Sequence, residues 1–128
     1  MDVTKQIPRS EWKSTFDRFT REHLADDRPE TITIEVVSPT LGDQFEAQAV
    51  RLEGLVYDPK SQAFEVVLED MDHLVFQPTE IWVIEDDDGF ISTIELGRPD
   101  GTKELLYVHR SGPPARLSDV QPPFAPRG

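Results

Sequence analysis

The sequence predicts an α+β fold: an N-terminal helix packed on a curved antiparallel sheet of five or six strands, closer to a partly open barrel than to a flat sheet. Three observations carry this. Trp12, Phe16, Phe19 and His23 recur at helical spacing and make one strongly apolar face. Phe64, Val66 and Leu68 alternate with Glu65, Val67 and Glu69, the pattern of a strand with one buried face. Between them, Gly54 interrupts a long strand, and the apolar parity shifts from Val50 and Leu52 to Leu55 and Tyr57. Glycine inside a strand marks a bulge or bend, which a small curved sheet needs.

In chain order, residues 1–7 read as a loose lead-in to a single domain over 8–110. Pro8 to about Leu24 is the helix, since proline suits a first helical turn. Asp17 and Arg21 sit off its apolar face as a favourable i,i+4 pair, and Pro29 bars continuation. Thr31–Val37 alternates, with Ile32, Ile34 and Val36 on one side. Gln44–Tyr57 is the long bent strand. It turns at Asp58-Pro59-Lys60-Ser61, where aspartate bonds the backbone ahead and proline presets the turn angle. The return strand from Phe64 is followed by His73–Phe76 and Glu80–Ile84, read as one strand broken at Pro78. Phe90–Leu96 and Thr102–His109 pair across Gly97-Arg98-Pro99-Asp100-Gly101, a good hairpin loop. From Ser111 to Gly128 proline and glycine replace apolar periodicity, so 111–128 is expected to be a disordered tail.

Composition narrows the function classes. The 128 residues suffice for one cored domain, and the absence of cysteine rules out disulfides and thiolate chemistry. No apolar run is long enough to span a membrane, and the N-terminus lacks the pattern of a secretory signal. A cytoplasmic location is the expectation. The 25 acidic residues outweigh 13 basic ones, a net charge of -12 that repels phosphate backbones and makes nucleic-acid binding unfavourable. An ordinary acidic bacterial protein and a salt-adapted, halophilic one both fit this balance.

Motifs for chemistry are scarce. The three histidines, His23, His73 and His109, have no second ligand at metal spacing. His73 lies beside Asp70 and Asp72, so His73, His109, Asp70 and Asp72 form the one candidate polar site. Asp86-Asp87-Asp88-Gly89 has the look of a calcium loop, but the first ligand position would fall on apolar Ile84, so a solvated acidic turn is the better reading. There is no phosphate loop or nucleophile elbow, and no cofactor is expected. Leu105 and Tyr107 face one way while Leu106 and Val108 face the other, and all four are apolar. Leu105, Leu106, Tyr107 and Val108 are therefore a candidate interaction edge for a protein partner.

Two resemblances add to this. Ile7-Pro8-Arg9-Ser10-Glu11-Trp12, Phe16-Asp17-Arg18-Phe19-Thr20-Arg21-Glu22-His23, Ile34-Glu35-Val36, Leu41-Gly42-Asp43-Gln44 and Leu52-Glu53-Gly54 resemble an uncharacterised bacterial family, domain of unknown function 5335, over about Ile7–Tyr107. The resemblance implies no catalytic residues. Glu53–Asp58 followed by Val66–Asp70 is similar to the central hairpin of Sm-like barrels, which would imply that fold. The turn is longer than theirs, and the uridine-reading asparagine and the second Arg-Gly signature are missing. The function expected is a non-catalytic binding or interaction module. The alternatives are an Sm-like RNA-binding protein and a small enzyme using carboxylates.

Overall fold

The computed structural model describes residues 1–25 and 29–110. Eight antiparallel strands form one sheet: β1 (Val3–Gln6), β2 (Glu30–Ser38), β3 (Gly42–Asp58), β4 (Ala63–Leu68), β5 (Asp72–Phe76), β6 (Glu80–Glu85), β7 (Ile91–Gly97) and β8 (Lys103–His109). Their spatial order is β1-β6-β7-β8-β2-β3-β4-β5. The single α-helix, α1 (Trp12–Phe19), continues a short 3-10 turn over Arg9–Glu11 and runs into a π turn over Thr20–Leu24.

This corrects the expected helix on five or six strands: the described residues form a mostly-β, eight-stranded sheet with one short α-helix. Two strands escaped the sequence for different reasons. Val3–Gln6 is exposed at all four positions, so it has no apolar alternation to read, yet it pairs with β6 from Val3–Glu85 to Gln6–Trp82. The segment around Pro78 is two strands, not one broken strand. Gln77 adopts φ 53°, and the chain turns there so completely that β5 ends at one edge of the sheet while β6 sits beside the other. The Sm-like barrel is corrected with it. Among the described residues the sheet stays open, with β1 and β5 as its two edges. The expectation for 111–128 lies outside the described residues.

The bend predicted at Gly54 is present. β3 carries an extra residue between Leu52 and Gly54 relative to β4, and two more relative to β2, between Phe45 and Ala47 and between Ala47 and Val50. Each bulge adds twist and bend. At the middle one Ala49 takes φ 53°, and its N–H donates to Thr33 Oγ1 at 3.1 Å.

Burial alternates as strands require. Ile32 and Ile34 of β2, Val83 of β6, Ile94 of β7 and Leu106 of β8 all point to the core face. α1 covers that face with Trp12, Phe16 and Phe19. Trp12 stands edge-on to Tyr57 at 5.1 Å, Phe16 to Phe64 at 5.0 Å, and Phe19 to Phe90 at 5.3 Å. These are the geometries aromatic quadrupoles favour. Trp12 Nε1 donates to the Ile7 carbonyl at 2.8 Å, and Ile7 N donates to Ile81 O at 2.9 Å, tying the helix start to β6. After Leu52, β3 has no β2 neighbour. Thr20 takes that place: its hydroxyl accepts from Leu55 N at 3.0 Å and donates to Leu55 O at 2.9 Å.

Candidate functional site

The sheet curls far enough for its β5 edge to reach the core face of β8. On β8, Thr102, Glu104, Leu106 and Val108 alternate inward, so a carboxylate lands where an apolar side chain is expected. Glu104 is only 2 % exposed. His73 Nε2 lies 2.6 Å from Glu104 Oε1, and Arg98 Nη1 donates to Oε2 at 3.2 Å. A carboxylate only accepts, so Nε2 carries the proton in this contact. Arg98 also bonds Asp100 at 3.3 Å, and the Asp100 carboxylate accepts from Thr102 N at 2.9 Å. That backbone bond, first among the causes, holds the Asp100 carboxyl below its usual range.

An open cavity of about 440 Å3 lies over this cluster, walled by Val36 and Glu46 of the β2–β3 arm, Leu74 and Phe76 of β5, and Pro99 of the β7–β8 turn. Among the described residues no hydroxyl or thiol side chain lines it. Among the described residues no group of three or more His, Asp or Glu side chains is placed to hold a metal ion.

Of the predicted polar site, only His73 is here. His109 lies at the other end of β8, exposed, with Nε2 3.5 Å from Thr33 Oγ1. Asp70 sits in the exposed β4–β5 turn. Asp72 opens β5 and hydrogen-bonds Glu65, the largest cause of the raised Glu65 carboxyl. Neighbours in sequence thus gave His73 the wrong partners. Glu104 was missed because Leu105–Val108 is apolar at every position, so the sequence does not show which parity of β8 faces the core. The acidic turn at Asp86–Asp88 is engaged internally. Asp86 and Asp88 both accept from Phe90 N, and Arg110 bonds both while stacking on the Phe90 ring at 4.2 Å. Burial, then the neighbouring Asp88, raises the Asp86 carboxyl. Its hydrogen bond with Asp86, then Arg110, holds Asp88 far below the carboxylate range.

The candidate interaction edge at Leu105, Leu106, Tyr107 and Val108 is also corrected. β8 pairs with β7 on one side and β2 on the other, so it is a central strand. Its two-sided apolar pattern has another cause. Leu106 and Val108 enter the core, whereas Leu105 and Tyr107 lie half-buried on the opposite face, across the sheet from α1. Burial pushes the Tyr107 hydroxyl up, and its 3.1 Å bond to Glu35 adds to the shift.

The profile of a family of unknown function, DUF5335, matches residues 3–116. The chain belongs to this family. An uncharacterised protein of Aquifex aeolicus (strain VF5) is 39% identical over 107 residues, spanning 83% of this chain and 92% of that relative. No solved structure matches. DUF5335 membership assigns no residue a role, so the roles of β5, the cavity and the outer face are argued from their geometry. No helix of the described DUF5335 residues is long and apolar enough to cross a membrane.

Proposed function

We propose that this DUF5335 domain is a non-catalytic binding module that takes an extended segment of a partner protein as an added strand on β5. The observation that carries this is the contrast between the sheet's free edges. β1 is short, wholly exposed and guarded by Lys5, which pairs with Glu85 at 3.0 Å. The unpaired stretch of β3 before Leu52 is broken by two bulges. Charges and bulges are how natural sheets blunt an edge. β5 has neither device in its second half: Leu74 is 44% and Phe76 60% exposed on a strand with no outer neighbour among the described residues. Strand addition draws affinity from main-chain bonds and specificity from alternate side chains, and the cavity beside Leu74 and Phe76 offers those side chains a place. Glu46 and Asp100 on its wall favour a partner segment carrying lysine or arginine.

The test is a selection of unstructured random peptides displayed against the whole protein. Enriched sequences should alternate apolar and basic residues. Phe76→Lys should weaken them at least tenfold, and so should N-methylation of alternate peptide amides. Binding that ignores N-methylation would sink strand addition.

A second reading rests on His73. An imidazole held by a buried carboxylate beside an open cavity has the arrangement of a general base. Arg98 on the other carboxylate oxygen, and walls with no hydroxyl or thiol among the described residues, favour a clasp instead. Turnover of an ester or phosphoester panel that vanishes in His73→Gln would establish the enzyme.

A further inference from the structure

The face of the sheet opposite α1 has a regular composition. Strand pairing sets Trp82, Glu95, Leu105, Glu35 and Phe45 in one row across β6, β7, β8, β2 and β3. The adjoining row is Ile84, Thr93, Tyr107 and Thr33. Apolar groups therefore alternate with carboxylates across four strand spacings, ~19 Å. None of the described helical segments covers this face: α1 and its flanking turns put their buried residues on the other one. Trp82 is 37% and Phe45 54% exposed. Between Trp82, Ile84 and Leu105 lies a dimple of about 90 Å3, with Glu95 on its rim. That is roughly the volume of three waters, enough for one aliphatic side chain.

We propose that this face docks an amphipathic helix of a partner protein, its apolar stripe flanked by lysine or arginine. Two physical arguments select this occupant. The strands under the patch are paired on both sides except β3, so recognition here runs through side chains and not through backbone bonds. A helix satisfies its own backbone and presents side chains on one face, which suits such a surface. The charge is one-sided. Glu35, Glu80 and Glu95 border the apolar groups, and Lys103 is bonded to Glu95 at 3.2 Å. A second copy of the chain, or a nucleic acid, would bring like charges together; a basic helix would not. Trp82 is the expected anchor, because tryptophan buries a large area and its ring attracts a cation.

The experiment uses the whole protein and a library of single helices randomised along one face, with backbone-capped ends. Selected helices should carry an apolar stripe with lysine or arginine beside it. Their titration into isotope-labelled protein should shift amides at Trp82, Glu95, Leu105 and Tyr107, and leave β5 unmoved. Trp82→Gln and Leu105→Gln should each weaken binding at least tenfold without changing the melting temperature by more than a few degrees. Lys103→Glu should strengthen it. Selection of acidic or uncharged helices, absence of saturable binding below millimolar, or shifts mapping to β5 would overturn the proposal. So would a dimer in sedimentation that Trp82→Gln dissociates, since the face would then belong to a second copy.

Discussion

Glu104 is the residue at which stability and function are hardest to separate. It is 2 % exposed and carries two partners, one of them, His73, from the far edge of the sheet. A buried carboxylate repays its desolvation only through such contacts, so removing one partner leaves the other stranded. Glu104→Leu alone should therefore cost about 3 kcal/mol. His73→Leu/Glu104→Leu together should cost less than the Glu104→Leu single, because His73 is no longer left without its carboxylate and Arg98 keeps Asp100. Urea unfolding of the four variants checks this, and strictly additive effects would refute the clasp. Much at this scale was legible in the sequence. The Asp58 turn forms as read, with Lys60 N on Asp58 Oδ1 at 2.9 Å, the first cause of a lowered Asp58 carboxyl. The His73–Glu104 contact was not legible, because the two residues lie 31 positions apart and meet only through the curl of the sheet.

At the scale of elements, periodicity worked where one face is buried and failed where none is. Trp12, Phe16 and Phe19 gave the helix and its core face, and all three are buried. Phe16→Ala should cost about 3–5 kcal/mol, the range for a buried aromatic whose cavity the core refills only in part. Thermal or urea unfolding measures it, and a loss below 1 kcal/mol would show that α1 is dispensable to the core. β4 was readable for the same reason as α1. β1 was not, since Val3-Thr4-Lys5-Gln6 owes its strand conformation to pairing with β6 and not to any pattern of its own. Leu105 and Tyr107 show the converse error. Their apolar character was real, but an apolar residue on the second face of a strand marks an uncovered sheet face as readily as an edge, and only the strand order decides.

For the whole molecule, charge is the property that needs no structure to be read. A net charge of -12 on 128 residues means self-repulsion in the compact state at low ionic strength. The melting temperature should rise from about 0.05 to 0.5 M KCl, as the screening length falls toward a few ångströms. A flat curve over that range would show that pairs such as Lys5–Glu85, Lys103–Glu95 and Arg110–Asp88 already offset the repulsion. The open sheet was less accessible to sequence than the charge. Strand count depends on β1 and on the turn at Gln77-Pro78, and strand order on which distant strands meet.

That order has a consequence in time. β2 and β8, neighbours at the centre of the sheet, join Thr31 to His109, and β1 waits for β6, with Val3 opposite Glu85. Otherwise the described strands fall into two local meanders, β2–β5 and β6–β8. A ribosome releasing this chain from its N-terminus must therefore expose β1 and the β8-facing edge of β2 before their partners exist. Closing such distant pairs requires loop entropy to be spent before any contact repays it. The β2–β5 and β6–β8 meanders are then the natural early structures, and the central seam between β2 and β8 that joins them the late one. Until that seam closes, β2 presents Ile32 and Ile34 on an unpaired edge, and this interval is when the chain is most exposed to aggregation.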